Sequence, residues 1–285
     1  MEVNNKQFAV FILTYGRPEK IHTLKTLEKQ GYTGDIYLIC SEDDKKLKEY
    51  QKNYNNVIEF NKQDYKQKFD IGDNFNDDRV VVFARNAVYD IAKKLNIDYF
   101  IVLDDDYTQF RYTADNKGVY LTKSRIIKNL DSMFNKLLKY YISTTAKTLC
   151  IAQGGDFIGG ENSRVFKHKL TRKAMNFFVC STKRPFKFIG RINEDVNTYV
   201  RLGTLGDIFL TIADIRLEQL DTQSNSGGLT EFYLDGGTYV KSFYTVLFSP
   251  SCTNINLMGN KHRRLHHRIS WNNAVPIIVD EKYKK

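Results

Sequence analysis

Tyr99-Phe100-Ile101-Val102-Leu103-Asp104-Asp105-Asp106 is the stretch whose reading decides the fold. Five apolar residues run without a polar break and stop at three aspartates. So short a run, bounded by polar residues, predicts a strand buried on both faces. Side chains alternate along a strand, which points Asp104 and Asp106 one way and Asp105 the other. Two carboxylates on one face repel each other unless a cation lies between them. Hard divalent ions such as Mg²⁺ and Mn²⁺ take oxygen ligands of this kind and bridge to substrate phosphates. The plainer alternative is a solvated acidic turn after a strand.

Outward from that strand, the first third alternates strand and helix. Phe8 to Thr14 reads as a buried strand ending in Tyr15-Gly16-Arg17-Pro18, and proline suits the first turn of a helix. Ile21, Leu24 and Leu27 give that helix an apolar face, with Gly31 as its stop. Asp35 to Cys40 predicts a second strand, closed by Ser41-Glu42-Asp43-Asp44, and Val57 to Phe60 a third. Val80 to Leu95 has a helical apolar face. Strands separated by helices imply crossover units and a mostly parallel sheet, and such sheets bind ligands beyond the carboxyl ends of their strands. Thr14, Tyr15, Gly16, Arg17, Asp43 and the three aspartates fall on that edge. Arg17 has the reach and shape for a phosphate, Gly16 allows close backbone approach, and Asp43 accepts hydrogen bonds from a ribose or base. Arg85 and Asn86, inside an otherwise apolar helix, lie near the same edge. A nucleoside diphosphate with a divalent ion satisfies these arginines and aspartates together; surface charge is the alternative for Arg17 and Arg85.

Composition narrows the classes. The chain has 285 residues, 42% of them hydrophobic and 27% charged, with a net charge of +10. That length buries a full core, and no apolar run approaches the roughly 20 residues that span a bilayer. The start carries no secretory pattern. The four cysteines lack metal spacing, so buried free thiols in a reducing cytoplasm are expected. The excess of positive charge points to a polyanionic partner.

The second half is less regular. Ser124 to Tyr141 reads as a helix capped by Thr122, Leu149 to Gln153 as a strand opening into a glycine-rich loop (154–160), and Met175 to Cys180 as another strand. Asn193-Glu194-Asp195 precede a short helix at Val196 to Leu202. There the acids serve either as favourable charge at a helix N-terminus or as chemistry. Gln219 to Gly228 is polar and glycine-ended, a loop, followed by a turn at 235–237. Tyr239 to Phe248 is apolar and fits helix or strand. Lys261 to Arg268 packs three histidines and four cations into eight residues.

A strand ending in Thr14-Tyr15-Gly16-Arg17-Pro18, a second ending in acids, an Ala84-Arg85-Asn86 helix and a strand ending in an Asp-x-Asp together resemble the nucleotide-sugar half of a GT-A glycosyltransferase. The segments YFIVLDDDYTQF, GGDFIGG, NEDVNTYV, GGLTEFY and RLHHRISW narrow this to a resemblance to the TET-associated glycosyltransferases of bacteriophages, running from about Phe8 to Lys282. The resemblance implies a single GT-A-like α/β domain over residues 1–285, with a nucleotide-sugar-binding half (1–110) and an acceptor half (111–285). It implies transfer from a nucleotide sugar, a UDP-sugar first, to 5-hydroxymethylcytosine in phage DNA, in the host cytoplasm. Mn²⁺ or Mg²⁺ would bind Asp104, Asp106 and either His266 or His267. Thr14, Tyr15, Gly16, Arg17, Asp43, Arg85, Asp104 and Asp105 would contact the donor. Asp195 would be the general base of an inverting displacement, beside Glu194, and Arg263, Arg264 and Arg268 would meet the diphosphate or the DNA backbone. Rival readings are an enzyme acting on a saccharide or lipid-linked acceptor, and a metal-dependent nuclease.

Overall fold

The computed structural model describes residues 2–3, 6–168, 170–220, 237, 239–259 and 263–275. Its frame is one sheet built on β2 (Lys6–Leu13) and β5 (Tyr99–Asp104), which pair in parallel with Leu13 opposite Asp104. β3 (Asp35–Ser41) and β4 (Val57–Phe60) extend it in parallel on the other side of β2. Beyond β5 come β10 (Phe177–Ser181), β8 (Thr148–Gln153), β11 (Phe209–Gln219), β6 (Tyr107–Ala114) and β7 (Tyr120–Ile126). Along that path only β10 and β6 run against the rest. Short strands β1 (Glu2–Val3) and β9 (Leu170–Thr171) flank β2 and β11.

Alternation along the central strands divides the core. Phe11, Leu13, Phe100 and Val102 face α3 (Val82–Lys94) and α6 (Glu194–Thr204). Phe8, Val10, Ile12, Ile101 and Leu103 face α1 (His22–Lys29), α2 (Leu47–Asn53) and α4 (Leu130–Ser143). Both faces of β5 are therefore covered, which is why its sequence shows no polar break. This is the α/β architecture, with a mostly parallel sheet between helices, that the sequence predicts. α5 (Arg164–His168) and α7 (Val240–Phe248) complete the helices among the described residues, and β12 (Thr253–Met258) pairs with β13 (Arg264–Ile269) as a separate hairpin.

Several elements differ from the sequence reading. Pro18 opens a single 3₁₀ turn, and the α-helix starts only at His22. The segment expected as one helix from Ser124 is strand β7 up to Ile126, followed by α4. The cap is Asn129, whose side chain accepts from Ser132 N at 2.8 Å, and not Thr122. Ile127 extended the apolar face of a helix to which it does not belong. The helix at the acidic triplet begins at Glu194, two residues earlier than expected. Tyr239 to Phe248 resolves as helix. The expected loop at 219–228 and turn at 235–237 lie almost wholly outside the described residues, as do Lys261 and His262.

Gln30 ties the end of α1 to β6 and to the segment that leads into α4. It is 3% exposed; its amide donates to Phe110 O at 2.8 Å and to Ile127 O, and accepts from Phe110 N at 2.8 Å. Gln30→Leu strands those backbone groups, so urea denaturation is expected to show a loss of about 1–3 kcal/mol; unchanged stability would mean that water replaces the amide.

Candidate active site

The three aspartates at the end of β5, Asp104 its last residue, make different contacts. Asp105 is 1% exposed and turned inward. Arg17 grips it with Nε and Nη2, both at 2.8 Å, and the Thr14 hydroxyl donates to it at 2.7 Å. Asp105, Arg17 and Thr14 thus hold each other and shape the loop after β2. Asp104 points the opposite way and accepts from Arg85 Nη2 at 3.0 and 3.1 Å. Asp106 is largely buried, and burial followed by repulsion from Asp104 and Asp105 pushes its carboxyl up to about 7.

The loop after β2 is shaped by residues that the motif reading missed. Gly16 sits at φ +76° with open space beside it, so its requirement is the backbone turn. Its N–H donates to Asp44 Oδ2 at 2.7 Å, and Arg17 N–H donates to the Tyr50 hydroxyl at 2.9 Å. Within Ser41-Glu42-Asp43-Asp44 it is Asp44, 5% exposed, that organises the loop. Asp43 is half-exposed and paired with Lys62 at 2.9 Å, while Lys62 also lies 4.7 Å over the Tyr15 ring. Asp44 and Tyr50 act through backbone geometry, which leaves no periodic trace in the sequence.

Arg85 is the joint of the site. It leaves α3 fully buried, with its guanidinium 5.0 Å from the Phe178 ring and 5.7 Å from the Phe188 ring. One edge holds Asp104; Nε donates to Glu194 Oε1 at 2.7 Å. The carboxyl end of β5 and the first turn of α6, ninety residues apart in the chain, therefore meet across one guanidinium. Asn193 before that turn adopts φ +58°, a left-handed conformation that asparagine tolerates. Asp195 is 8% exposed and accepts from Val196 N at 2.7 Å. Burial and then the adjacent Glu194 raise its carboxyl well above the ordinary range, opposed by Arg85.

On the far side of Asn193 lies β13. Asn193 Nδ2 is 2.6 Å from Thr245 Oγ1 and 3.4 Å from His267 Nδ1. His266 and His267 lie ring to ring at 4.3 Å. Burial, then His266, Lys241 and Lys173, push His267 down to about 3, so its imidazole is neutral. Among the described residues no three of His, Cys, Asp and Glu converge on one point that could hold a metal, so neither histidine joins Asp104 and Asp106 in one such group. Arg263, Arg264 and Arg268 are exposed on or beside this hairpin.

Asp104 and Asp106 still fit a divalent cation of the kind that takes most of its oxygen ligands from phosphates and water. They are two carboxylates at one strand end, and burial and then its acidic neighbours raise the pKa of the second. No helix among the described residues is long and apolar enough to cross a membrane, and all four cysteines are buried free thiols.

The family model for TET-associated glycosyltransferases matches residues 8–228. Among curated protein sequences none matches. Among solved structures, glucosyl-3-phosphoglycerate synthase from Mycobacterium tuberculosis, in complex with Mg²⁺ and UDP, is similar at a TM-score of 0.45 and 9% identity, over 93% of this chain and 88% of that one. TarS 1-349 from S. aureus, in complex with UDP, is similar at 0.44 and 12%, over 85% of this chain and 65% of that one.

Removing Arg85 would leave buried acids without their counter-charge. Arg85→Ala is expected to lower stability by about 3–5 kcal/mol, with Arg85→Lys between it and the parent because one ammonium cannot reach Asp104 and Glu194 together. Chemical denaturation reads the order, and equal stability of all three proteins contradicts it.

Proposed function

Because this chain belongs to the TET-associated glycosyltransferase family, we propose that it moves a sugar from a nucleotide sugar to the hydroxymethyl group of 5-hydroxymethylcytosine in DNA. The observation that carries the reading is the Arg85 joint, which sets the aspartates after β5 against Glu194 and Asp195. One side of such a site suits a diphosphate, and the other offers a base to an acceptor. The donor is a UDP-sugar, bound by the half before residue 110, and the acceptor enters over the half after it. The net charge of +10 fits a DNA acceptor in the cytoplasm of an infected bacterium.

Asp104 and Asp106 would hold Mn²⁺ or Mg²⁺, which when bound supplies positive charge to the departing diphosphate. Arg17 keeps the loop after β2 in place through Asp105, so that the Gly16 backbone stays open toward the donor. The acceptor hydroxyl is a poor nucleophile until a positioned carboxylate takes its proton. Asp195 is that base: its oxygen receives the proton as the hydroxyl oxygen attacks the anomeric carbon and the bond to the diphosphate breaks, inverting the centre. Its raised pKa matches a base that works near neutral pH. Glu194, neutralised by Arg85, holds the first turn of α6 and keeps Asp195 in register.

Asp195→Asn retains size and helix-start geometry but cannot take the proton. A fall in kcat of about 10²–10⁴-fold is expected, with melting temperature and DNA affinity near those of the parent. The parent's kcat/KM should climb with pH, because the ionised form is the base, on a limb displaced above the ordinary carboxylate value of about 4. That limb disappears in the variant. Near-normal turnover by Asp195→Asn would move the proton to another acceptor.

Nucleoside mass spectrometry after incubation of hydroxymethylated DNA with a panel of nucleotide sugars tests the reaction itself. Transfer should cease in EDTA and return with Mn²⁺ or Mg²⁺, and Asp106→Asn should be inactive yet folded. Full transfer in chelator removes the metal from the scheme; transfer only to saccharide acceptors removes DNA; and cutting of plain DNA without donor marks a nuclease.

A further inference from the structure

One side of α7 is locked to the acidic helix: the Thr245 hydroxyl accepts from Asn193 and donates to Asn197 Oδ1 at 2.9 Å. The other side leaves a line of apolar residues four apart, Tyr239, Phe243 and Leu247, which are 47, 50 and 58% exposed. Residues at this spacing share one helix face. The apolar surface continues past the helix. Leu247 and Phe248 lie against Gly72, and the Tyr244 hydroxyl hydrogen-bonds Asp73 in the same loop.

That loop, residues 70–79, is held firmly. Arg191, 1% exposed, clamps Asp73 with Nε and Nη2 at 2.8 Å and donates to the carbonyls of Phe75, at 2.8 Å, and Asp77. Its neighbour Gly190, at φ +88°, donates to Asp70 O at 2.8 Å, and a Cβ there would collide with the Asn197 amide. The backbone is thus fixed by a buried cation two residues before Asn193, yet it presents the Phe75 ring 63% exposed. The clamp fixes the backbone at Phe75 and leaves its ring open to solvent.

The hairpin carrying Arg264 and Arg268 packs on α7, and Arg264 lies close enough to Lys241 of that helix to act on its charge, so an exposed cation stands beside the helix that carries the stripe. Aromatic faces beside a basic track are what hold unpaired nucleobases by stacking while their phosphates meet the cations. We propose that Phe75, Phe243 and Tyr239 form a stacking platform for unpaired bases flanking the acceptor, with Arg264 and Arg268 on the adjoining phosphates. The inference rests on the DNA-acceptor reading and adds to it the form of the substrate, a strand opened around the target. Chemistry on a base requires that base to leave the stack, and its neighbours then need new partners. Charge selects this occupant over a second copy of the chain. In a two-fold pairing the same patch would meet itself, bringing like cations together.

The test uses the full chain and a single-stranded oligonucleotide with 5-hydroxymethylcytosine beside 2-aminopurine. Phe75→Ala and Phe243→Ala should each weaken the anisotropy Kd by about 5- to 150-fold and raise the bound 2-aminopurine emission. Both should leave the salt slope and melting temperature alone, since no phosphate contact is removed, and Phe243→Trp should restore tight binding. The platform is overturned if both alanine variants match the parent in Kd and emission while the parent still glycosylates hydroxymethylated DNA. It is equally overturned if sedimentation finds a dimer that Phe243→Ala dissolves with DNA affinity unchanged. A parent that transfers no sugar to hydroxymethylated DNA, and binds it no better than heparin, defeats the DNA reading first and the platform with it.

Discussion

A buried guanidinium between two acids is the constraint on which the site depends. Arg85 lies among Phe178 and Phe188, where an unpaired charge would cost several kcal/mol after relaxation. It is tolerated because Asp104 and Glu194 converge on it from a strand and a helix that the chain visits far apart. The same contact therefore does two things. It fixes α6 against the carboxyl end of β5, and it makes the position of Asp195 a consequence of the position of Asp104. Even so, Nη1 of Arg85 has no hydrogen-bond partner among the described residues, which leave the burial of this cation incompletely compensated.

Acids outnumber cations at that centre. Asp106 is pushed up to about 7 and Asp195 is raised as well, each by burial first and a neighbouring carboxylate second. A raised carboxyl pKa means that the folded protein holds a proton that the unfolded chain releases at the same pH. The native state is thus progressively disfavoured as pH rises from about 4, the unfolded value, through the raised values. The site keeps this unfavourable charge at the end of strands whose middles are buried and apolar. Perturbed carboxyls cluster at functional sites, though structural ion-pair networks shift them too, so the proposed role of Asp195 rests on its position beside the Arg85 joint together with its raised pKa. The helix-cap reading weakens because Asp195 lies inside α6 and accepts from the very next N–H.

How much of this was legible in the sequence follows from what kind of signal each residue leaves. β2, β3 and β5 announced themselves because both of their faces are buried, and an unbroken apolar run cannot be hidden. The opposed directions of Asp104 and Asp105 followed from strand alternation alone, and the structure bears it out. β11 alternates buried and half-buried residues along its length, a period-two signal that was present but not used. The helix assigned from Ser124 failed at its start because Ile127 matches the helical face by spacing while lying in the link between β7 and α4. Asp44 and Tyr50 were invisible for a different reason: they bind backbone N–H groups of a loop 28 and 33 residues away, and no local pattern encodes such a partner. Arg85 was placed near the ligand edge of the sheet and Glu194 before a short helix, but their contact was not found, since it depends on how α6 docks.

The distribution of charge completes the argument. The net charge of +10 belongs to the chain as a whole, whereas the core of the site is acidic and Arg263, Arg264 and Arg268 stand exposed on its β13 side. A polyanion is drawn to such a rim over distances of about a Debye length, but it cannot settle on the acids themselves. A cation or a proton must come between, and Arg85 is already committed to Asp104 and Glu194. The fold therefore separates two requirements in space, attraction of an anionic partner at the hairpin and its discharge at the strand ends. The Asn193–His267 contact is where the two regions touch. His267 is held neutral there by burial and by Lys241 and Lys173, so the boundary between acid and base is occupied by groups that carry no charge of their own.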